Sequence, residues 1–135
     1  MKPSRCLVGA LLVFFVIPSV AKEGQALFEK YCIACHQIQG PPKIAPPVFG
    51  VINHVRNVYP EREAFVKRIV DWVDKPDPKD ALMPGAVLRF GIMPKLGYPR
   101  EDVRKIAEFL YDHQVNLPQW YIEHYRQQHG REPTL

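Results

Sequence analysis

The feature that most constrains this chain of 135 residues is Cys32-Ile33-Ala34-Cys35-His36. Two thiols at this spacing, followed at once by an imidazole, form the run used for covalent attachment of a c-type haem. The thiols add to two vinyl groups of one porphyrin, and the adjacent imidazole reaches the iron. Cys32 and Cys35 then anchor the group and His36 ligates it. A cofactor held in this way needs little else from the chain to stay bound, so a small protein can build its core around the macrocycle.

Two other chemistries use similar residues. A zinc site needs a second ligand pair, but no cysteine follows the motif, and His124 and His129 lie far downstream. A dithiol redox pair needs a strand leading into the motif within alternating strands and helices, whereas Ala26 to Tyr31 reads as helix.

The length and the lack of an internal repeat fit one domain. Fourteen prolines point to long ordered loops between a few helices, an arrangement that a haem-centred core tolerates. Met1 to Ala21 has the layout of a secretory signal: Lys2 and Arg5, an apolar run from Leu7 to Ile17, then Pro18-Ser19-Val20-Ala21 with small residues at the cleavage positions. Cleavage is expected after Ala21. The competing reading, an uncleaved anchor, is disfavoured because the run falls short of the ~20 residues a span requires. Cys6 precedes the apolar run and is not placed for lipid attachment.

Of 18 basic side chains, Lys2 and Arg5 belong to the removed segment, which leaves 16 against 14 acidic ones and a nearly neutral mature chain. Nucleic-acid binding, which needs a strongly basic face, is therefore not expected. Export to an oxidising compartment would favour pairing Cys32 with Cys35, but thioether formation consumes both thiols. A bacterial periplasm or an equivalent outside space is implied.

Along the chain, a first helix is expected from about Gly24 to His36, with Ala26, Leu27, Phe28 and Tyr31 on its buried face. Gly24 marks either a frayed end or a close helix crossing that leaves no room for a side chain, and the second is favoured. Gln37 to Asn57 reads as loop, with Gly40-Pro41-Pro42 and Ala45-Pro46-Pro47-Val48-Phe49-Gly50. Its candidate task is to wrap one haem face and supply the acceptor for the second nitrogen of His36, for which the Pro46 carbonyl is the choice.

A second helix is expected from about Pro60 to Asp74, with Phe65, Ile69, Trp72 and Val73 at helical spacing. Trp72 is read as a half-buried aromatic ahead of a donor to a haem propionate. Asp80 to Gly97 reads as a loop with two Met-Pro pairs, Met83-Pro84 and Met93-Pro94, one of which is a candidate iron ligand. A third helix from about Pro99 to His113 carries the stripe Val103, Ile106, Ala107 and Leu110. Ile122 to His129 fits a short fourth helix ended by Gly130, and Trp120, Tyr121 and Tyr125 suggest that it docks on the core.

In motif content and order, Glu23 to His113 resembles the small monohaem cytochromes c of the class I type. Gly24, Phe28 and the Cys-x-x-Cys-His run look like that family's first helix, and Ala45 to Gly50 looks like its proline loop. Ile92-Met93-Pro94 and a last helix with Phe109-Leu110-Tyr111 complete the likeness. The resemblance implies an all-α, cytochrome c-like fold: three main helices and long loops wrapped around one covalent haem c, with an additional C-terminal helical tail. Residues 1–21 would then be signal, 22–113 the cytochrome domain and 114–135 an extension packed on it. It also decides between the methionines, because the family's distal ligand stands at a distance before the last helix that fits Met93 and not Met83. Carried over, Cys32 and Cys35 bind haem, His36 and Met93 ligate iron, and the Pro46 carbonyl orients His36. The tail after His113 and the turn-rich stretch from Asp80 to Phe90 depart from the family pattern and are places where partner choice can be set.

With imidazole and thioether on both axial positions the iron has no site for substrate, and the thioether favours the ferrous state. The implied function is a periplasmic one-electron carrier, not an enzyme, that cycles Fe(III)/Fe(II). It would dock weakly, as a monomer, on donor and acceptor proteins through an exposed haem edge near Ile44, Met83 and Lys95. Rival readings are a haem enzyme with His54 as acid–base group, the electron-entry subunit of an enzyme, and a gas sensor with a displaceable Met93 and a transmitting tail.

Overall fold

The computed structural model describes residues 20–38, 41–113 and 116–133. The expected signal segment ahead of Val20 lies outside them. The described chain is helical with no strand: α1 (Val20–Tyr31), α2 (Val48–Val58), α3 (Arg62–Asp74), one 3-10 turn (Pro78–Asp80), α4 (Pro84–Phe90), α5 (Arg100–Asp112) and α6 (Gln119–His129). The expected all-α architecture is thus found. Its three main helices are α1, α3 and α5, and its tail helix is α6.

Helix α5 organises the packing because its apolar residues fall on one stripe, and Val103, Ile106, Ala107 and Leu110 are all buried. It crosses α1 on one side and packs against α3 on the other. The α1 crossing is close at Gly24: a Cβ there would stand 2.3 Å from the Lys105 carbonyl oxygen and 2.7 Å from the Phe109 Cβ. Glycine is therefore required by contact with backbone that cannot move aside. Phe28, one turn further along, meets Phe109 with ring centroids 6.2 Å apart. Lys105 Nζ donates to Glu23 across the same crossing at 2.8 Å.

Three details differ from the sequence expectation. The first helix stops at Tyr31, and the five motif residues form a turn in place of a further helical stretch. The stretch read as loop up to Asn57 contains α2. Pro47 stands as its N-cap, and Gly50 obscured a helical pattern in Val48, Ile52 and Val55, which join the main core. The stretch from Asp80 to Gly97 contains α4, with Pro84 in its first turn; α4 buries no residue fully, so it leaves no apolar stripe to read. On α3 the buried set is Phe65, Val66, Ile69 and Val70, while Trp72 and Val73 are only half-buried.

A second, smaller core sits on the far side of α2. Phe49 is wholly buried between Tyr121 and Trp120 of α6, at ring-centroid distances of 4.9 and 5.8 Å, and Tyr125 and Leu117 close the cluster. Helix α2 is thereby covered on both faces, by the main core and by α6. Replacing Gly24 with alanine is expected to destabilise the protein by at least about 1–3 kcal/mol, the cost of overpacking a rigid contact. Urea unfolding of the haem-loaded protein measures it; a variant as stable as the parent would contradict the crossing described.

Candidate haem site

The site begins where α1 runs out. Cys32 N–H donates to the Phe28 carbonyl at 2.9 Å, the last bond of helical type from α1, and the chain then folds back. Cys35 N–H and His36 N–H both donate to the Cys32 carbonyl, at 3.1 and 2.8 Å. This turn brings two thiols and an imidazole within one short arc of backbone. Cys32 is half-buried and Cys35 exposed, and both thiols are free.

Burial, and next the neighbouring Cys35 thiol, push the Cys32 thiol up to about 11. The pair also follows the C-terminal end of a helix, where the macrodipole disfavours negative charge. A dithiol redox centre requires the reverse, a thiol lowered by a helix N-terminus or a nearby cation. That alternative therefore fits poorly. Among the described residues no group of three or more His, Cys, Asp or Glu is placed to hold a metal ion.

His36 Nδ1–H donates to the Pro46 carbonyl at 2.8 Å. The bond fixes the ring and its tautomer, leaving Nε2 as the nitrogen with a free lone pair. Burial pulls the imidazole below its usual value, while the bond to Pro46 acts in the opposite sense. A second bond closes the loop beside the first, from Val48 N–H to the Gln37 carbonyl at 3.2 Å. Together they clip the end of the motif to the start of α2.

Met93 lies half-buried in a segment without regular secondary structure between α4 and α5. Gly91, with φ of 81°, ends α4 and releases the chain into that segment. Lys95 pairs with Asp74 at 3.2 Å, and Tyr98 holds the segment's far end. The Tyr98 ring stacks on Tyr31 at 4.5 Å, and its hydroxyl donates to the Tyr31 carbonyl at 3.1 Å. Burial raises the Tyr98 hydroxyl, followed by the proximity of Cys32 and Cys35, so this tyrosine stands beside the motif. Tyr31 in turn donates to Asp102 at the start of α5. Met83 is placed differently, as the N-cap of α4, where its carbonyl accepts from Ala86 and Val87.

The structure thus brings Cys32, Cys35, His36 and Pro46 together and ties the Met93 segment to the same region through Tyr98. Nothing local marks Tyr31 and Tyr98, whose contact spans 67 positions. Trp72 packs under the Arg68 guanidinium at 5.0 Å. Ile44 is strongly exposed, and Lys95 is engaged with Asp74.

These residues fit a covalent haem. Two free thiols and one imidazole with an unengaged nitrogen share one turn. Large apolar side chains stay exposed in the segments around them, namely Ile33, Ile38, Ile44, Ile92 and Leu96. Exposed apolar side chains in these segments are surface that a bound macrocycle can cover.

Comparison with known proteins agrees with this chemistry. The cytochrome c family model matches residues 21–114, so the chain belongs to the cytochrome c family. The cofactor of that family is haem c, covalently bound and carrying iron, and a domain of this size fits one such group. The role that follows in general terms is haem-based electron transfer with redox partners. A relative in Aquifex aeolicus (strain VF5), an uncharacterized protein, is 28% identical over 142 residues, spanning 90% of this chain and 91% of its own length. No solved structure matches. Among the described residues no helix is long and apolar enough to cross a membrane.

His54 has a different setting. Its Nδ1–H donates to the Gly50 carbonyl at 2.9 Å, and its ring meets Tyr125 and His129 of α6 at 5.7 and 5.6 Å. Burial lowers its affinity for a proton, opposed by the Gly50 bond and assisted by His129, Arg131 and His124. With its folded-state value below the ordinary 6.5, His54 binds a proton more weakly in the folded chain than in the unfolded one. Stability is then lost as pH falls below 6.5 towards the folded value. Denaturant midpoints are expected to fall over that window, and His54→Gln is expected to flatten the dependence; equal slopes for parent and variant would contradict the assignment.

Proposed function

We propose that the protein is a periplasmic one-electron carrier whose haem c is anchored by Cys32 and Cys35 and ligated by His36 and Met93. The observation that carries this reading is the Nδ1–H of His36 bonded to the Pro46 carbonyl, which holds the ring in one orientation and leaves Nε2 as the nitrogen that can act as a ligand. When bound, the haem supplies an iron that takes up and returns one electron.

The chain's own residues do the rest. His36 donates from a ring held in one orientation, and the acceptor at Nδ1 increases its basicity. Met93, offering a thioether from the segment between α4 and α5, would favour the reduced state and raise the potential. Gly91 and the Lys95–Asp74 and Tyr98–Tyr31 contacts hold both ends of that segment. The apolar side chains of Ile33, Ile38, Ile44, Ile92 and Leu96 would keep water from the macrocycle and leave one edge for partners. Small, weak interfaces at such an edge allow rapid exchange between donor and acceptor.

In the proposed organisation residues 1–21 are a cleaved export signal, 22–113 the haem domain and 114–135 an extension packed on it. Extracytoplasmic placement is typical of cytochrome c domains and supports the periplasmic assignment. The mature protein would act as a monomer, without nucleic acid or a membrane span.

The two methionines provide the test. Reduced Met93→Ala is expected to bind carbon monoxide readily and, when oxidised, to lack the weak far-red band of a thioether on ferric iron. Met83→Ala should resist carbon monoxide and keep the band, like the parent. Carbon monoxide binding by the parent, or loss of the band in the Met83 variant alone, would overturn the ligand assignment.

A further inference from the structure

Resting on the reading of His36 as the proximal ligand, we propose that α6 is a positioning element for that ligand. Tyr121 braces the first turn of α2, keeping the Pro46 carbonyl in line for His36 and so setting the haem's reduction potential.

The restraint can be followed bond by bond. His36 Nδ1–H reaches the Pro46 carbonyl at 2.8 Å. The next carbonyl, that of Pro47, accepts from Gly50 N–H at 2.9 Å and from Val51 N–H at 3.2 Å, fastening the acceptor to the first turn of α2. Val48 N–H reaches back to Gln37 at 3.2 Å, so the same turn is also fixed to the residue after His36. The outer side of this turn is Phe49 and Gly50, and both are buried by α6.

Tyr121 lies edge-on to Phe49 at 4.9 Å. A Cβ at Gly50 would lie 3.5 Å from the Tyr121 ring and 3.7 Å from Pro47 Cγ, so ring and proline border the same bare patch of backbone. Tyr121 is itself buried, and burial together with Tyr125 raises its hydroxyl's pKa, keeping it un-ionised in this cluster. Tyr125 holds the next turn of α6: its hydroxyl accepts from Asn57 at 3.0 Å, and its ring packs on His54. Phe49 is wholly buried on the outer side of α2 against Tyr121, Tyr125 and Trp120, so α6 covers that side.

An acceptor at Nδ1 makes an imidazole more basic and stabilises the higher charge of ferric iron. Loosening the first turn of α2 weakens that acceptor and shifts the balance towards the ferrous state. The midpoint potential would then rise, with His36 and Met93 still in place. An aromatic cover that served only stability would leave the potential where it was.

The test uses the full-length holoprotein and three variants, Tyr121→Ala, Tyr121→Leu and Tyr121→Phe. Tyr121→Ala is expected to raise the midpoint potential and to speed hydrogen exchange at the Val48 amide by about tenfold or more, the signature of local opening. Tyr121→Leu, which retains apolar contact and folds where the alanine variant fails, should move both readouts the same way by less. Tyr121→Phe keeps the ring and should match the parent. A folded leucine or alanine variant with the parent potential would overturn the proposal, whatever its stability. The ligand assignment is read separately: His36→Ala is expected to lose the low-spin spectrum, and an unchanged spectrum would defeat that assignment and not the bracing by Tyr121.

Discussion

The hydrogen bond from His36 Nδ1–H to the Pro46 carbonyl joins two pieces of chain that belong to different parts of the packing. One is the turn at the end of α1, whose position is set by the Gly24 crossing on α5. The other is the start of α2, held between the main core and α6. An imidazole in this setting has one nitrogen committed and one free, and its orientation depends on both packing arrangements at once. Two independent supports thus converge on one ring, as a ligand held by its surroundings requires.

Electrostatics at the same turn point the same way. The thiols follow the C-terminal end of α1, where backbone carbonyls disfavour a thiolate, and burial raises Cys32 further. The turn is therefore poorly suited to thiol–disulfide exchange. Exposed isoleucines around it supply apolar surface that a flat macrocycle can cover. The main core, by contrast, is closed by residues of α1, α2, α3 and α5 and contains one wholly buried phenylalanine, Phe65, on α3.

Legibility in the sequence followed how local each signal is. The stripe on α5 was readable because that helix buries one face and exposes the other. Helix α2 was not readable, because Val48, Ile52 and Val55 bury one side while Phe49 and Asn53 bury the other, and Pro46, Pro47 and Gly50 imitate a loop. Helix α4 was hidden for the opposite reason, having no buried residue to set a period. The Cys-x-x-Cys-His run is compact enough to suggest its own chemistry, whereas the residues bracing it come from far along the chain. Tyr98 lies 67 positions from Tyr31, and no pattern in a single sequence pairs them. The aromatic residues of the tail were legible as docking residues, but that they cover the outer face of α2 depends on a contact between Phe49 and Tyr121 that only the fold reveals.

The most direct test of the central claim is mass spectrometry of the denatured holoprotein after tryptic cleavage, following the peptide from Tyr31 to Lys43. The account predicts that one haem remains on this peptide after acid extraction and that neither Cys32 nor Cys35 takes up an alkylating reagent. Haem that extracts freely, or alkylation of both thiols, would contradict covalent attachment at this turn.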